Sequence, residues 1–265
     1  MNCSFRLMLR RMICRAPGLR LLVAAILLAA AAGPVAAGAQ TVIATTSWTA
    51  AFADLAGADR VELLAPYEMR HPPEYELRAT DLRRVQEADL LVYAGYENMM
   101  DRLQDAIGDG SVESVQISTT YTAETLESQA MKIASALGSE DIARARIGEA
   151  IAFLEEWRGE IRDLGLDEDP VVVQFHQESL FKDLGVNVVD TFGPGPLEAQ
   201  QIARLSRAEP VLVVDNWHNE TGQPFAETLP DVPRVSLINF PGEDDTRTIL
   251  DVLRHNREKV REAVR

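Results

Sequence analysis

Cysteine is scarce in this chain and confined to its start. The two cysteines, Cys3 and Cys14, both lie in the first 20 residues. Without that segment the chain has no thiol, which excludes a disulfide framework, a cysteine nucleophile and a thiolate-bound metal. The sequence also lacks a His-Glu-x-x-His segment and the glycine-rich loops that bind nucleotide phosphates. These absences favour a binding protein over an enzyme.

The first 39 residues differ from the rest in having five arginines and no acidic residue. A short apolar run, Leu21 to Ala32, follows the arginines, and small residues ending at Ala39 follow the run. This order is typical of a secretory signal peptide, and the run is short for a membrane span of about 20 residues. We therefore predict cleavage after Ala39, export to the periplasm and no stable insertion in the membrane.

The rest of the chain is strongly acidic. The whole sequence has a net charge of −15 from 26 basic and 41 acidic residues, so removal of the five leader arginines leaves −20. Such a surface repels nucleic acid and anionic membranes and attracts cations. The remaining 226 or so residues are enough to bury a core as one long domain or two lobes.

Short β-branched runs alternate with helical patterns in both halves of the chain, which predicts βαβ units and mostly parallel sheets. Between the halves, an apolar stripe with helical spacing predicts one helix over residues 139–164, about 39 Å long and ended by Gly165. We therefore predict an α/β fold: two βα lobes, residues 40–138 and 166–265, bridged by one long rigid helix within residues 139–165.

Three of the four histidines are placed near strand ends. His71, His176 and His218 each follow a predicted strand, whereas His255 lies on the last predicted helix and is excluded. Ligands of open parallel sheets bind outside the carboxyl ends of the strands, so rings from two facing lobes would meet in one cleft. Imidazole with carboxylate suits zinc, iron or manganese. Carboxylates are available in the same loops, at Glu74, Glu76, Glu178, Asp215, Glu243, Asp244 and Asp245.

Several segments, in order, resemble the zinc/manganese solute-binding proteins of bacterial ABC importers, the TroA-like group. The resemblance spans the chain after the leader and implies two βα lobes on a rigid helix, with metal held between them. The matching segments are ATTSW at 44–48, HPPEYELRATD at 71–81, ADLLVYAGYE at 88–97, TFGPGP at 191–196 and LRHN at 253–256.

The resemblance also implies which residues bind the metal. The family's first histidine aligns with Pro73, so His71, two residues earlier, is the candidate; the second has no counterpart in residues 118–124. His176 matches the third ligand well. The fourth ligand, an aspartate, corresponds to Asp244 or Asp245, and Asp244 is preferred. We predict that His218 replaces the missing histidine, which gives a four-coordinate set suited to zinc.

The predicted function is a periplasmic receptor that captures zinc, or less readily manganese, and delivers it to an ABC permease with its ATPase. A monomer without enzymatic activity is expected. Three alternatives remain open at this point: a receptor for a chelated metal or a corrinoid-like ligand, a metal-dependent hydrolase using Glu178 beside His176, and a surface adhesin.

Overall fold

The computed structural model describes residues 39–108, 110 and 112–265. The predicted signal peptide therefore lies outside the described residues apart from Ala39. Residues Ala39–Arg265 form one compact unit. No helix in this described part of the chain has both the length and the apolar character that a membrane crossing requires.

The N-terminal half is built on a four-stranded parallel sheet with the order β2-β1-β3-β4. Its two central strands are apolar and buried, because helices cover both faces of the sheet. The strands are β1 (Thr41–Ala44), β2 (Arg60–Leu63), β3 (Leu90–Tyr93) and β4 (Glu113–Gln116). The helices are α1 (Ser47–Leu55), α2 (Ala79–Gln86) and α3 (Met100–Ile107), with a 3-10 turn at Pro72–Glu74.

The C-terminal half repeats this topology with the strand order β6-β5-β7-β8, again parallel throughout. The strands are β5 (Val171–Gln174), β6 (Val188–Phe192), β7 (Leu212–Asn216) and β8 (Arg234–Leu237). Its helices are numbered from α6, because two helices that connect the halves precede them in the chain. They are α6 (Phe175–Asp183), α7 (Ala199–Ser206), α8 (Phe225–Thr228) and α9 (Ile249–Val264), and a 3-10 turn lies at Trp217–Asn219.

Two helices connect the halves, and the longer, second one is the predicted bridge. Helix α4 (Ala123–Leu137) ends at Gly138, whose φ of 68° is a left-handed conformation that glycine adopts without strain. Helix α5 (Glu140–Asp163) follows and spans about 36 Å at 1.5 Å per residue. Its apolar stripe, which includes Ile147, Leu154 and Trp157, is buried in a core shared by both sheets.

The last helix, α9, ties the C-terminal half to α5. The Arg257 guanidinium donates to both carboxylate oxygens of Glu160 and to Glu156, and its charge lies over the Phe153 ring at 5.0 Å. Arg261 donates to Glu160 as well. Helix α9 also contacts α1 of the first half. Packing and hydrogen bonds along α5 and α9 therefore join the two halves.

The predicted fold class, two βα lobes with parallel sheets bridged by one long helix, is confirmed. One local expectation differs, and two other helix starts show contacts that the sequence does not indicate. Helix α6 begins at Phe175 directly after its strand, so His176 lies in a helical first turn and not in a loop. Ser139 precedes α5, but its hydroxyl donates to the Ala56 carbonyl at 2.6 Å and does not cap the helix. Helix α2 follows Arg78, whose backbone N–H donates to Asp81.

Candidate metal-binding cleft

The carboxyl ends of the strands of both sheets face a cleft between the lobes, as expected for open parallel sheets. A cavity of about 130 Å³ lies there. The first lobe contributes the start of α1 and the segment after β4, and the second lobe contributes the start of α6 and the segment after β8. The lining residues are Trp48, Thr119, Thr120, Tyr121, Phe175, His176, Gln177, Glu178, Ser179, Leu180 and Asn239.

His176 is the predicted ligand that opens directly onto this cavity. Its backbone N–H donates to the Gln174 side chain at 2.6 Å, which caps α6 and fixes the position of its first turn. Partial burial lowers the pKa of His176. The ring is therefore neutral at pH 7, which is the form that binds a metal ion. Glu178, also in the lining, is paired with Lys182 at 2.6 Å.

His218 is almost fully buried, with 4% of its surface exposed. Its ring stacks on Phe240 at a centroid distance of 3.4 Å and meets the edge of Trp217 at 4.9 Å. Burial lowers the pKa of His218 to about 3; contact with the Asn239 side chain opposes this shift, and the charges of Arg70, His71 and His176 add to it. His71 and His176 therefore each lie within electrostatic range of His218.

His71 is exposed and lies on the loop that joins β2 to the 3-10 turn at Pro72–Glu74. The C-terminal lobe holds this loop at several points. The Arg70 guanidinium lies 4.6 Å over the Trp217 ring and donates to the Trp217 carbonyl. Arg247 lies 4.4 Å over the Tyr67 ring. Contacts of Arg70 and Tyr67, which are close to His71 in sequence, therefore hold this loop against the second lobe.

Asp244, the predicted carboxylate ligand, is exposed and points to a different partner. Its Oδ2 atom lies 3.6 Å from Nδ1 of His255, the histidine on α9 that the sequence excluded. The backbone at Asp244 and Asp245 has φ values of 48° and 57°, a left-handed pair that turns the chain into α9. This pairing is not visible in any local pattern, because His255 and Asp244 are brought together only by the tertiary fold.

Across the described residues, no group of three or more His, Cys, Asp or Glu side chains lies close enough together to hold a metal ion. His71 and His176 lie within electrostatic range of His218 but form no coordination sphere with it, and Asp244 contacts His255. The four-ligand set stays a prediction. It requires local movement of side chains and of the loop that carries His71.

Sequence reasoning missed polar groups that surround the cleft. Trp48, Tyr121 and Asn239 line the cavity, and each has a buried polar atom without a hydrogen-bond partner: Nε1, the hydroxyl and Oδ1, respectively. Burying such an atom unpaired is costly, so unpaired groups tend to mark places where a ligand or a second conformation completes the bonding. Trp48 could be placed near the cleft from the sequence, because it follows a strand, whereas nothing in the sequence marks Tyr121 or Asn239.

Comparison with solved structures finds the same fold. The laminin-binding protein Lmb of Streptococcus agalactiae, described as bifunctional with adhesin and metal transporting activity, aligns with a TM-score of 0.66 at 15% identity, covering 85% of this chain and 100% of that one. FpvC of Pseudomonas aeruginosa in complex with Mn²⁺ aligns at 0.64 and 14% identity, covering 85% and 98%. Zn(II)-bound AdcA of Streptococcus pneumoniae aligns at 0.60 and 18%, covering 86% and 58%.

These likenesses, all below 20% identity, are likenesses of fold. No protein-family model matches the sequence, and the comparison with curated proteins gives no match. The chain has the two-lobed α/β fold of metal-binding solute-binding proteins.

Proposed function

We propose that this protein is a periplasmic solute-binding protein that captures a divalent metal ion between its lobes and delivers it to an ABC permease with its ATPase. The observation that carries the proposal is the cavity between the lobes, lined by His176 of the second lobe and by Trp48 and Tyr121 of the first. The solved structures of this fold that contain Zn(II) and Mn²⁺ support the same assignment.

In this proposal the acidic surface concentrates cations, and His176 receives the ion at the cavity. His71 and His218 then complete three imidazole ligands, with Asp244 as the fourth after it leaves His255. Such a set of nitrogen and carboxylate donors favours zinc over manganese. The protein acts as a monomeric binding protein without catalysis. Its mature form begins after the signal peptide predicted to end at Ala39.

Calorimetric titration of the protein lacking residues 1–39 with zinc tests the proposal. His176→Ala and His218→Ala should each weaken binding at least tenfold, because each removes a direct ligand. His71→Ala should weaken it similarly. His255→Ala is the matched control, since that ring lies on α9 outside the three, and it should not weaken binding. If zinc binds equally well to all four variants, the assignment of the cleft is wrong.

A second candidate, capture of a metal already held by a small chelator, is favoured by one observation. The cavity at His176 is larger than a single ion and is lined by the aromatic side chains of Trp48, Tyr121 and Phe175. Aromatic and unpaired polar groups are typical of sites for organic ligands. Titration with zinc premixed with equimolar citrate separates the two: a receptor for the bare ion binds the mixture more weakly than zinc alone, and a chelate receptor binds it more tightly.

A further inference from the structure

The ring of His218 is fixed in place by its surroundings. Phe240 stacks on one face with an interplanar angle of 26°, and the Trp217 ring meets it at 89°. Phe240 is in turn packed against Trp48, with their ring centroids 5.3 Å apart. Since such stacked rings have little room to turn, metal binding by His218 has to use the ring nearly where it lies.

The present hydrogen bond at His218 is the wrong one for a metal ligand that binds through Nε2. The backbone N–H of Asn239 donates to Nδ1 at 3.4 Å. A neutral imidazole carries one N–H, so a ring that accepts at Nδ1 carries its proton on Nε2. A protonated nitrogen has no lone pair for a metal ion. A metal-binding histidine instead donates its other N–H to an oxygen acceptor.

The oxygen acceptor that a metal-binding His218 needs is present in Asn239, the residue whose backbone N–H donates to Nδ1. Asn239 is 7% exposed, and its Oδ1 atom is buried without a hydrogen-bond partner. Its backbone N–H lies 3.4 Å from Nδ1 of His218, so its side chain begins beside that ring. Asn239 therefore offers Nδ1 two alternatives: a backbone donor, which is in use, and a side-chain carbonyl, which is unpaired.

We propose that Asn239 is a positioning residue that sets the tautomer of His218. In the unloaded cleft its backbone N–H holds Nδ1 as an acceptor, and in the loaded cleft its side-chain carbonyl accepts Nδ1–H, which frees Nε2 for the ion. The Nε2 proton leaves to water and Nδ1 takes one from water, so the charge of the ring does not change. This inference rests on the proposed function of the cleft.

Nitrogen-15 NMR of histidine-labelled protein lacking residues 1–39 tests the tautomer directly. Without zinc, the long-range couplings of His218 should show the proton on Nε2, and with saturating zinc they should show it on Nδ1. Retention of the Nε2 proton in zinc-saturated protein would overturn the inference and leave the proposed function intact if zinc still binds. Absence of zinc binding would overturn both.

Variants of Asn239 separate positioning from a structural role. Asn239→Leu keeps the backbone N–H and loses the acceptor, so the unloaded tautomer should persist while zinc affinity falls about tenfold to a hundredfold. Asn239→Asp keeps an acceptor oxygen and should restore affinity to within about threefold. Asn216→Leu is a matched control: Asn216 is a buried asparagine at the end of β7, bonded to Gln177, and its loss should leave the His218 tautomer change intact.

Equal zinc affinity in Asn239→Leu and the unsubstituted protein would remove Asn239 from this role. So would a zinc-dependent tautomer change that persists in Asn239→Leu. If Asn239→Leu fails to fold, Asn239→Asp alone decides: the Nδ1–H resonance of its zinc-loaded His218 should shift downfield relative to the unsubstituted protein, because a charged acceptor makes a shorter hydrogen bond. An unshifted resonance would overturn the inference.

Discussion

The two lobes use the loop after an equivalent strand in different ways. β3 and β7 are equivalent strands in sheets of the same order, and a short loop follows each of them. After β3 that loop carries Glu97, 3% exposed, and after β7 it carries His218, 4% exposed. Burial is equal, so the difference between the lobes lies in how the buried polar group is bonded.

Glu97 is fully paired within its own lobe. Its carboxylate accepts from the Thr45 hydroxyl at 2.5 Å and from the backbone N–H groups of Ala94 and Gly95 at 2.9 and 2.6 Å. His218 has the single 3.4 Å bond from Asn239. The first lobe therefore uses this loop for structure, whereas the second lobe keeps a buried ring that still has bonding capacity for a ligand.

The largest expected effect is therefore on stability in the first lobe. Glu97→Ala leaves the backbone N–H groups of Ala94 and Gly95 and the Thr45 hydroxyl without their shared acceptor, and those of Ala94 and Thr45 are buried. We expect the free energy of unfolding to fall by about 3 kcal/mol, since buried bonds to a charged group cost this much to lose. Urea denaturation followed by circular dichroism measures the change.

His218→Phe is the matched substitution in the second lobe. It keeps an aromatic ring against Phe240 and leaves one backbone N–H unpaired, so the loss at neutral pH should be about 1 kcal/mol. Glu97→Gln retains an acceptor oxygen and should lose less than Glu97→Ala. Equal losses for Glu97→Ala and His218→Phe would break the distinction drawn between the two loops.

The second expected effect is a dependence on pH that comes from His218. Burial, opposed by contact with Asn239 and reinforced by the charges of Arg70, His71 and His176, lowers its pKa from 6.5 to about 3. As the pH falls below 6.5, His218 takes up a proton in the unfolded chain but stays neutral in the folded chain. Stability is therefore lost between about pH 6.5 and 3, by about 3 kcal/mol at pH 4.5 from this group.

Metal-free unfolding curves of the unsubstituted protein and His218→Phe, measured from pH 7 to 4.5 with a chelator present, isolate this contribution. The other buried or partly buried histidines, His176 and His255, have lowered pKa values in both proteins, so their contributions cancel in the difference. The stability of the unsubstituted protein should fall more steeply. Parallel pH profiles would show that the folded protein protonates this ring freely.

The fold could be predicted from the sequence because its signals are local. β-branched runs, the apolar stripe of α5 and Gly138 each act over a few residues, and they define lobes and connection without knowledge of contacts. The position of His176 after β5 followed from the same local pattern. The start of α6 at Phe175 did not, because a strand that passes directly into a helix leaves no turn residues to mark the boundary.

The bonding of the site could not be predicted, because its partners are distant in sequence. Asp244 pairs with His255 on another element, and the unpaired Oδ1 of Asn239 beside His218 depends on how β7 and β8 lie next to each other. A histidine that follows a strand is visible in a sequence. Which of its nitrogens carries the proton depends on neighbours that only the folded chain brings into contact.

The smallest expected effect is on the distance between the lobes, which should not change when zinc binds. Helix α5 is continuous through the shared core, and Arg257 and Arg261 hold α9 to it through Glu160. The movement that completes the site is then confined to side chains and to the loop of His71. Small-angle scattering curves with and without zinc should superimpose; a smaller radius of gyration with zinc would show that the lobes close as a hinge and that α5 bends.

Arg257→Met separates the contribution of the ion pairs from that of the helix. It removes the ion pairs of Arg257 and should lower stability. The scattering curves should still superimpose, because the continuous helix and not the ion pairs sets the spacing of the lobes.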